Sequence, residues 1–166
     1  MSAEKNILAG LVMGSKSDWD AMSAAHELLK EFGVPHECRV LSAHRTPGPL
    51  ADWVESAEAQ GAEVFIAGAG LAAALPGVVA SITTKPVLGV PLAGGALNGQ
   101  DALYAIVQMP PGIPVGTLSI GKGGAVNAAL LAVAILANKY PEYAKKLAEY
   151  RAAQAKNVLD IELPGA

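Results

Sequence analysis

Residues 6–19 read NILAGLVMGSKSDW, and this stretch decides the fold. The run 6–13 is short, almost wholly apolar and ends at Gly14-Ser15, as a strand buried on both faces does. A polar loop, Lys16-Ser17-Asp18, follows at once. From Trp19 to Phe32 the period changes: Met22, Ala25, Leu28, Leu29 and Phe32 share one helical face, and Gly33 stops the helix. Strand, tight loop and amphipathic helix make the opening of a βαβ unit.

The same grammar repeats along the chain. Strands are predicted over 36–41, 63–67, 86–91 and 115–119, and helices over 47–60, 71–81, 99–108, 125–137 and 140–158. Segments 67–70, 94–98 and 110–114 read as loops or rigid turns, and 159–166 as a mobile tail. Five alternations of strand and helix predict an α/β fold with a parallel sheet covered on both faces. The whole of 1–166 reads as one domain, with a core over 6–138 and an additional C-terminal helix.

The chain has 166 residues, of which 52% are hydrophobic and only 16% charged. Disorder is excluded, because a disordered chain of this length would be polar and charged. Alanine and glycine together supply 32 and 18 residues, so little charge is left to coat a lone monomer. The net charge of −3 and the lack of a basic run argue against nucleic acid as a partner. The uncharged stretches 64–80 and 123–137 are broken by glycine and proline or too short to span a bilayer, so both read as buried soluble elements. The N-terminus has no signal-peptide pattern. Cys38, the single cysteine, reads as a structural thiol of a reducing cytosol.

In an open parallel sheet, ligands bind beyond the carboxyl ends of the strands. The sequence places Gly14–Asp18, Ser42–Pro47, 67–70, 93–95 and 121–124 there. The first loop opens a helix, so its hydroxyls and free N–H groups suit a phosphate. An ordinary helix cap by Asp18 is the alternative. Neither a G-x-x-x-x-G-K-[ST] nor a G-x-G-x-x-G motif is present, which argues against nucleoside triphosphates and dinucleotides. In Ser42-Ala43-His44-Arg45, an imidazole able to move protons near neutral pH adjoins a guanidinium able to grip an anion. A structural role for His44 stays open at this level. His26 and His36 read as structural, and three scattered histidines argue against a metal site.

These motifs make the chain resemble the N5-carboxyaminoimidazole ribonucleotide mutase family. The resemblance spans about residues 7–137. It rests on Val12-Met13-Gly14-Ser15-Lys16-Ser17-Asp18-Trp19, Ser42-Ala43-His44-Arg45-Thr46-Pro47 and Ile66-Ala67-Gly68-Ala69-Gly70. Further matches are Leu75-Pro76-Gly77, Pro86-Val87-Leu88-Gly89-Val90-Pro91, Ile106-Val107-Gln108-Met109-Pro110, Gly112-Ile113-Pro114-Val115 and Asn127-Ala128-Ala129-Leu130-Leu131.

The resemblance implies a three-layer α/β/α, flavodoxin-like subunit of strand order 2-1-3-4-5 in a cytoplasmic homo-octamer. It implies a cofactor-free and metal-free isomerase of purine biosynthesis acting on a small nucleotide, with no nucleic-acid or membrane partner. His44 would be the acid/base. Ser15, Ser17 and Arg45 would hold the 5′-phosphate, and Asp18 the ribose hydroxyls. Ser42, Ala43, Ala69, Gly70 and Leu71 would line the carboxylate and CO2 pocket. Many bacterial members read Gly-Gly-Ala-Ala-His-Leu-Pro-Gly where this chain has Gly70-Leu71-Ala72-Ala73-Ala74-Leu75-Pro76-Gly77, and carry serine at Ala102. Two other readings are a direct CO2-dependent carboxylase, whose class usually has Ser-Ala-His-Lys, and a non-catalytic nucleotide-binding homologue.

Overall fold

A computed structural model describes residues 7–165. The expected strand start at Asn6, the polar segment 1–5 and the last residue of the tail lie outside them. Chain order is β1 (Ala9–Met13), α1 (Trp19–Phe32), β2 (His36–Val40), α2 (Pro47–Ala59), β3 (Val64–Gly70), α3 (Leu75–Ile82), β4 (Val87–Leu92), α4 (Gln100–Val107), β5 (Gly116–Thr117), α5 (Lys122–Ala137) and α6 (Pro141–Leu159). All four strand pairings are parallel, and the order is 2-1-3-4-5, the flavodoxin-like arrangement expected from the sequence.

Strand alternation divides the core in two. Ala9, Leu11, Met13, Val64 and Ile66 face α1, α5 and α6, packing on Met22, Leu29, Ala128, Ala132 and Leu136. Val12, Phe65 and Ala67 face the other way, against Leu50, Val54, Val79 and Ile106 of α2, α3 and α4. Covering both faces is what lets β1 and β4 be buried along their whole length. Packing is so close that strand glycines receive side chains from the next strand and from the covering helices. A Cβ on Gly10 would stand 2.7 Å from the Phe65 ring, and one on Gly89 2.5 Å from Ile106 Cγ2. Gly68 accepts Met22 in the same way.

Longer-range polar contacts fasten α6. Glu63, just before β3, accepts from Lys139 Nζ at 2.5 Å and from the Tyr140 hydroxyl at 2.7 Å. Lys146 Nζ donates to the Phe32 carbonyl at 2.5 Å, a cation at the C-terminal end of α1 where the helix dipole favours it.

Several boundaries differ from expectation, that of α5 among them, which begins at Lys122 rather than at residue 125. Residues 68–70, expected in a loop, continue β3, because Ala69 and Gly70 pair with Pro91 and Leu92 of β4. The helix expected over 71–81 begins only at Leu75, with Pro76 in its first turn, where the missing N–H costs nothing. The strand expected over 115–119 is reduced to Gly116–Thr117, an edge strand with β4 as its only partner. No helix among the described residues is long and apolar enough to cross a membrane.

Gly124 is the tightest point of this packing. It sits in the first turn of α5, and a Cβ there would collide with the Ser119 backbone carbonyl, which cannot rotate away. Gly124→Ala is expected to cost about 3 kcal/mol, the upper range for overpacking. The urea unfolding midpoint measures it, and an unchanged midpoint would contradict the close approach.

Candidate active site

Register builds the site. Met13 at the end of β1 lies opposite Val40 of β2 and Gly68 of β3, so the loops after all three strands leave from one edge. Connections from β1 and β3 depart to opposite faces there, which opens a crevice. The resulting cleft has a volume of about 650 Å³. Ser15, Ser17, Asp18, Ser42, Ala43, His44, Arg45, Ala69, Gly70 and Leu71 all line it. Every site residue singled out from the sequence is therefore brought to one place.

The first wall is the loop after β1. Ser15 N–H donates to Asp18 Oδ2 at 2.9 Å, and Asp18 N–H returns a bond to Ser15 O at 3.2 Å. The two hydroxyls, Ser15 Oγ and Ser17 Oγ, lie 3.0 Å apart. The expectation that Asp18 caps the following helix is corrected here. Its carboxylate closes the 3-10 turn that precedes α1 and makes no capping bond to α1 itself. Burial pushes the Asp18 carboxyl above its ordinary range, opposed by the Ser15 and Gly14 amides and by the Arg45 guanidinium.

The second wall is the turn after β2. Thr46 Oγ1 accepts from Ser42 N–H at 2.8 Å and donates to Ser42 O at 3.1 Å. Ser42 Oγ accepts from Arg45 N–H at 3.2 Å and from Arg45 Nε–H at 3.3 Å. These bonds lock a tight loop that projects His44 outward, exposed, between two fixed neighbours. Arg45 then crosses the cleft mouth: its Nη2 donates to Gly14 O at 2.7 Å, tying the second loop to the first. Thr46 escaped the sequence reading as a site-forming residue. Its only signal was its place before Pro47, where a threonine is expected to serve the helix rather than the loop.

The third wall is the end of β3 and the segment after it. Leu71 holds φ at +55°, a left-handed conformation that costs a non-glycine residue roughly 1–2 kcal/mol. Its side chain packs over Gly95, where a Cβ would come within 2.8 Å of Leu71 Cδ2. Ala93 and Gly94, expected at this edge, complete an apolar floor with Ala72, Ala74, Leu75 and Leu92, which the sequence reading did not assemble, while the expected segment 121–124 does not line the cleft. Of the two alanines that depart from the expected pattern, Ala74 borders the cleft, whereas Ala102 is fully buried on the inner face of α4.

Away from the cleft, the fold does something the spacing did not suggest. His26 and His36 lie together, with His26 Nδ1 2.8 Å from His36 Nε2, and Cys38 Sγ is 3.5 Å from His26 Nδ1.

Residues 8–157 match the family model described as AIR carboxylase. The chain belongs to the AIR carboxylase family. Proteins named N5-carboxyaminoimidazole ribonucleotide mutase are 55% identical over 161 residues in Escherichia coli (strain K12), covering 96% of this chain and 95% of theirs. The protein of that name from Aquifex aeolicus is 60% identical over 140 residues, with 84% and 83% covered. Among solved structures, Treponema denticola PurE superposes with a TM-score of 0.84 at 28% identity, covering 92% of this chain and 94% of that one. The family read from the motifs is thus the family that the whole chain matches.

Asp18 gives this AIR carboxylase family member a test of strain at the site. Its folded pKa is raised above the ordinary 3.8, so its ionisation weakens the folded state as pH rises through about 4 and has no further effect above the folded value. Asp18→Asn is therefore expected to gain stability relative to the parent between acid and neutral pH, while both proteins respond alike below pH 3. Paired thermal melts across that range check the sign. A variant that loses stability on the same path would overturn it.

Proposed function

We propose that the chain converts N5-carboxyaminoimidazole ribonucleotide to 4-carboxyaminoimidazole ribonucleotide, an isomerisation in purine biosynthesis. The observation that carries this reading is the near full-length identity of 55–60% to proteins named for that mutase, joined to a cleft that gathers His44, Arg45 and the serine pair.

The cleft divides the work. Arg45, Ser15 and Ser17 bind the 5′-phosphate at the amino end of α1, where the helix dipole adds to the attraction. Asp18 accepts from the ribose hydroxyls. Anchoring the phosphate far from the reacting carbon turns binding energy into orientation. The apolar floor around Ala43, Ala69, Gly70, Leu71 and Ala74 holds the carboxylate away from water, which favours loss of CO2 from a carbamate. In the first step the N–C bond of the carbamate breaks, CO2 leaves, and protonated His44 gives its proton to the exocyclic nitrogen. In the second step C4 attacks the retained CO2, and His44 takes the C4 proton. His44 gives one proton and receives another, so it ends protonated as it began.

His44→Asn is expected to lower turnover by at least about 100-fold while product-nucleotide binding survives. Near-normal turnover would remove His44 from the mechanism. The same assay, run with aminoimidazole ribonucleotide and CO2 in competition with the carbamate, separates the mutase from a direct carboxylase. Binding without any turnover would identify a non-catalytic homologue.

Association follows from what one chain leaves uncovered. From Arg151 onward α6 buries nothing, and Val158, Leu159, Ile161 and Leu163 are 63–83% exposed on this arm. Leu131 of α5 and Tyr104 and Val107 of α4 are exposed as well. Neighbouring copies would cover these groups in a cytoplasmic homo-octamer. Light scattering is expected to give a mass of about eight chains, and a stable monomer would contradict it.

A further inference from the structure

The cluster of His26, His36 and Cys38 lies apart from the cleft. His36 opens β2, at the far end of the strand from the loop that carries His44. Side chains alternate along a strand, so His36 and Cys38 point to one face and Glu37 to the other, where it accepts from Trp53 Nε1 at 2.9 Å. α1 covers the His36–Cys38 face and adds His26. The three donor atoms lie within 4.8 Å of one another.

We propose that His26, His36 and Cys38 form a binding site for one Zn²⁺-like divalent cation, through His26 Nδ1, His36 Nε2 and Cys38 Sγ. The outer nitrogens support this choice of inner ones. His36 Nδ1–H donates to the Val34 carbonyl at 2.7 Å, which leaves the Nε2 lone pair facing the cluster. His26 Nε2 faces Glu27 Oε1 at 3.8 Å, a carboxylate placed to orient the ring once Nδ1 is engaged. Outer-shell carbonyls and carboxylates of this kind hold metal-bound imidazoles in position.

The two contacts made by His26 suit the ion after a small adjustment, and His36 Nε2 and Cys38 Sγ lie within 4.8 Å of each other. Tetrahedral zinc with bonds of about 2.0–2.1 Å to nitrogen and 2.3 Å to sulfur separates two nitrogens by about 3.3 Å and nitrogen from sulfur by about 3.6 Å. The cysteine contact already matches, at 3.5 Å. The two imidazoles, at 2.8 Å, must open by about half an ångström, and the His26 side chain, 30% exposed, is free to yield toward solvent. Two imidazoles with one thiolate select zinc, cobalt or copper over magnesium and calcium, which prefer oxygen. Three protein ligands leave a fourth position for water.

The proton balance is simple. Without metal, His26 Nδ1–H donates to His36 Nε2 and Cys38 carries its thiol proton. On binding, the His26 proton moves through solvent to Nε2, the thiol proton leaves, and the metal–sulfur bond forms. One proton is released per ion. The ion would pin β2, an edge strand paired only with β1, to α1.

Tag-free, reduced and chelator-stripped protein titrated with Co²⁺ tests the proposal. The expected result is a thiolate-to-cobalt charge-transfer band that saturates at one ion per chain and is bleached by Zn²⁺. Cys38→Ser is expected to lose the band. His26→Ala, at a half-buried helix position where alanine is well tolerated, is expected to weaken binding at least about tenfold. Zn²⁺ is expected to raise the melting temperature of the parent by about 5 °C or more and to leave that of His26→Ala unchanged. No band at stoichiometric Co²⁺, or undiminished binding by His26→Ala, would overturn the site, whatever the outcome of the mutase assay.

Discussion

The register of β1 between β2 and β3 is the constraint on which the site depends. Met13 stands level with Val40 and Gly68, so three loops distant in sequence emerge within reach of one small molecule. A slip of one residue would turn Leu11 and Met13 away from α1 and α5 and put Val12 in their place. Burial on both faces thus fixes the register, and the register fixes the cleft. The Arg45 bond to Gly14 O is the local expression of that arrangement, since it can form only when the β1 and β2 loops start from adjacent strand ends.

Much of this could be read from the residues. α1 and α2 announced themselves through apolar spacing and their terminating glycines, and buried strands through short apolar runs. The His44 and Ser15 loops were found because polar and small residues followed those runs at once. Other features were hidden for identifiable reasons. Ala67-Gly68-Ala69-Gly70 has the composition of a loop, yet it is strand, because β4 supplies hydrogen-bond partners and Met22 fills the space above Gly68. Leu71 gives no local sign of a left-handed backbone, which tertiary packing imposes. The meeting of His26 with His36 and Cys38 depends on how α1 lies on β2, which spacing along the chain does not record.

The abundance of small residues has separate physical causes in separate places. Gly10, Gly68 and Gly89 make room at the sheet surface for the bulky side chains of Phe65, Met22 and Ile106. Ala128, Ala129 and Ala132 bring α5 close to α1 and the sheet. Ala43, Ala69, Ala72 and Ala74 serve neither purpose, because they border the cleft. Under the proposed mechanism the cleft retains CO2, and methyl groups suit that role because they offer water no hydrogen-bond partner.

Ala74 then acquires a definite meaning within the proposed chemistry. Where the resemblance implied a second histidine, this chain places a methyl group on the apolar floor. The polar groups of the cleft consequently lie on the β1 and β2 loops, and the small apolar groups on the β3 side. Arg45, already bonded to Gly14 O and Ser42 Oγ, is held in place before any anion arrives, so little side-chain freedom is lost on binding. His44 stands in the loop that this arginine braces. Placing the proposed proton carrier and the proposed anion anchor side by side on one rigid turn lets a single set of bonds, those between Thr46 Oγ1 and the Ser42 backbone, position both.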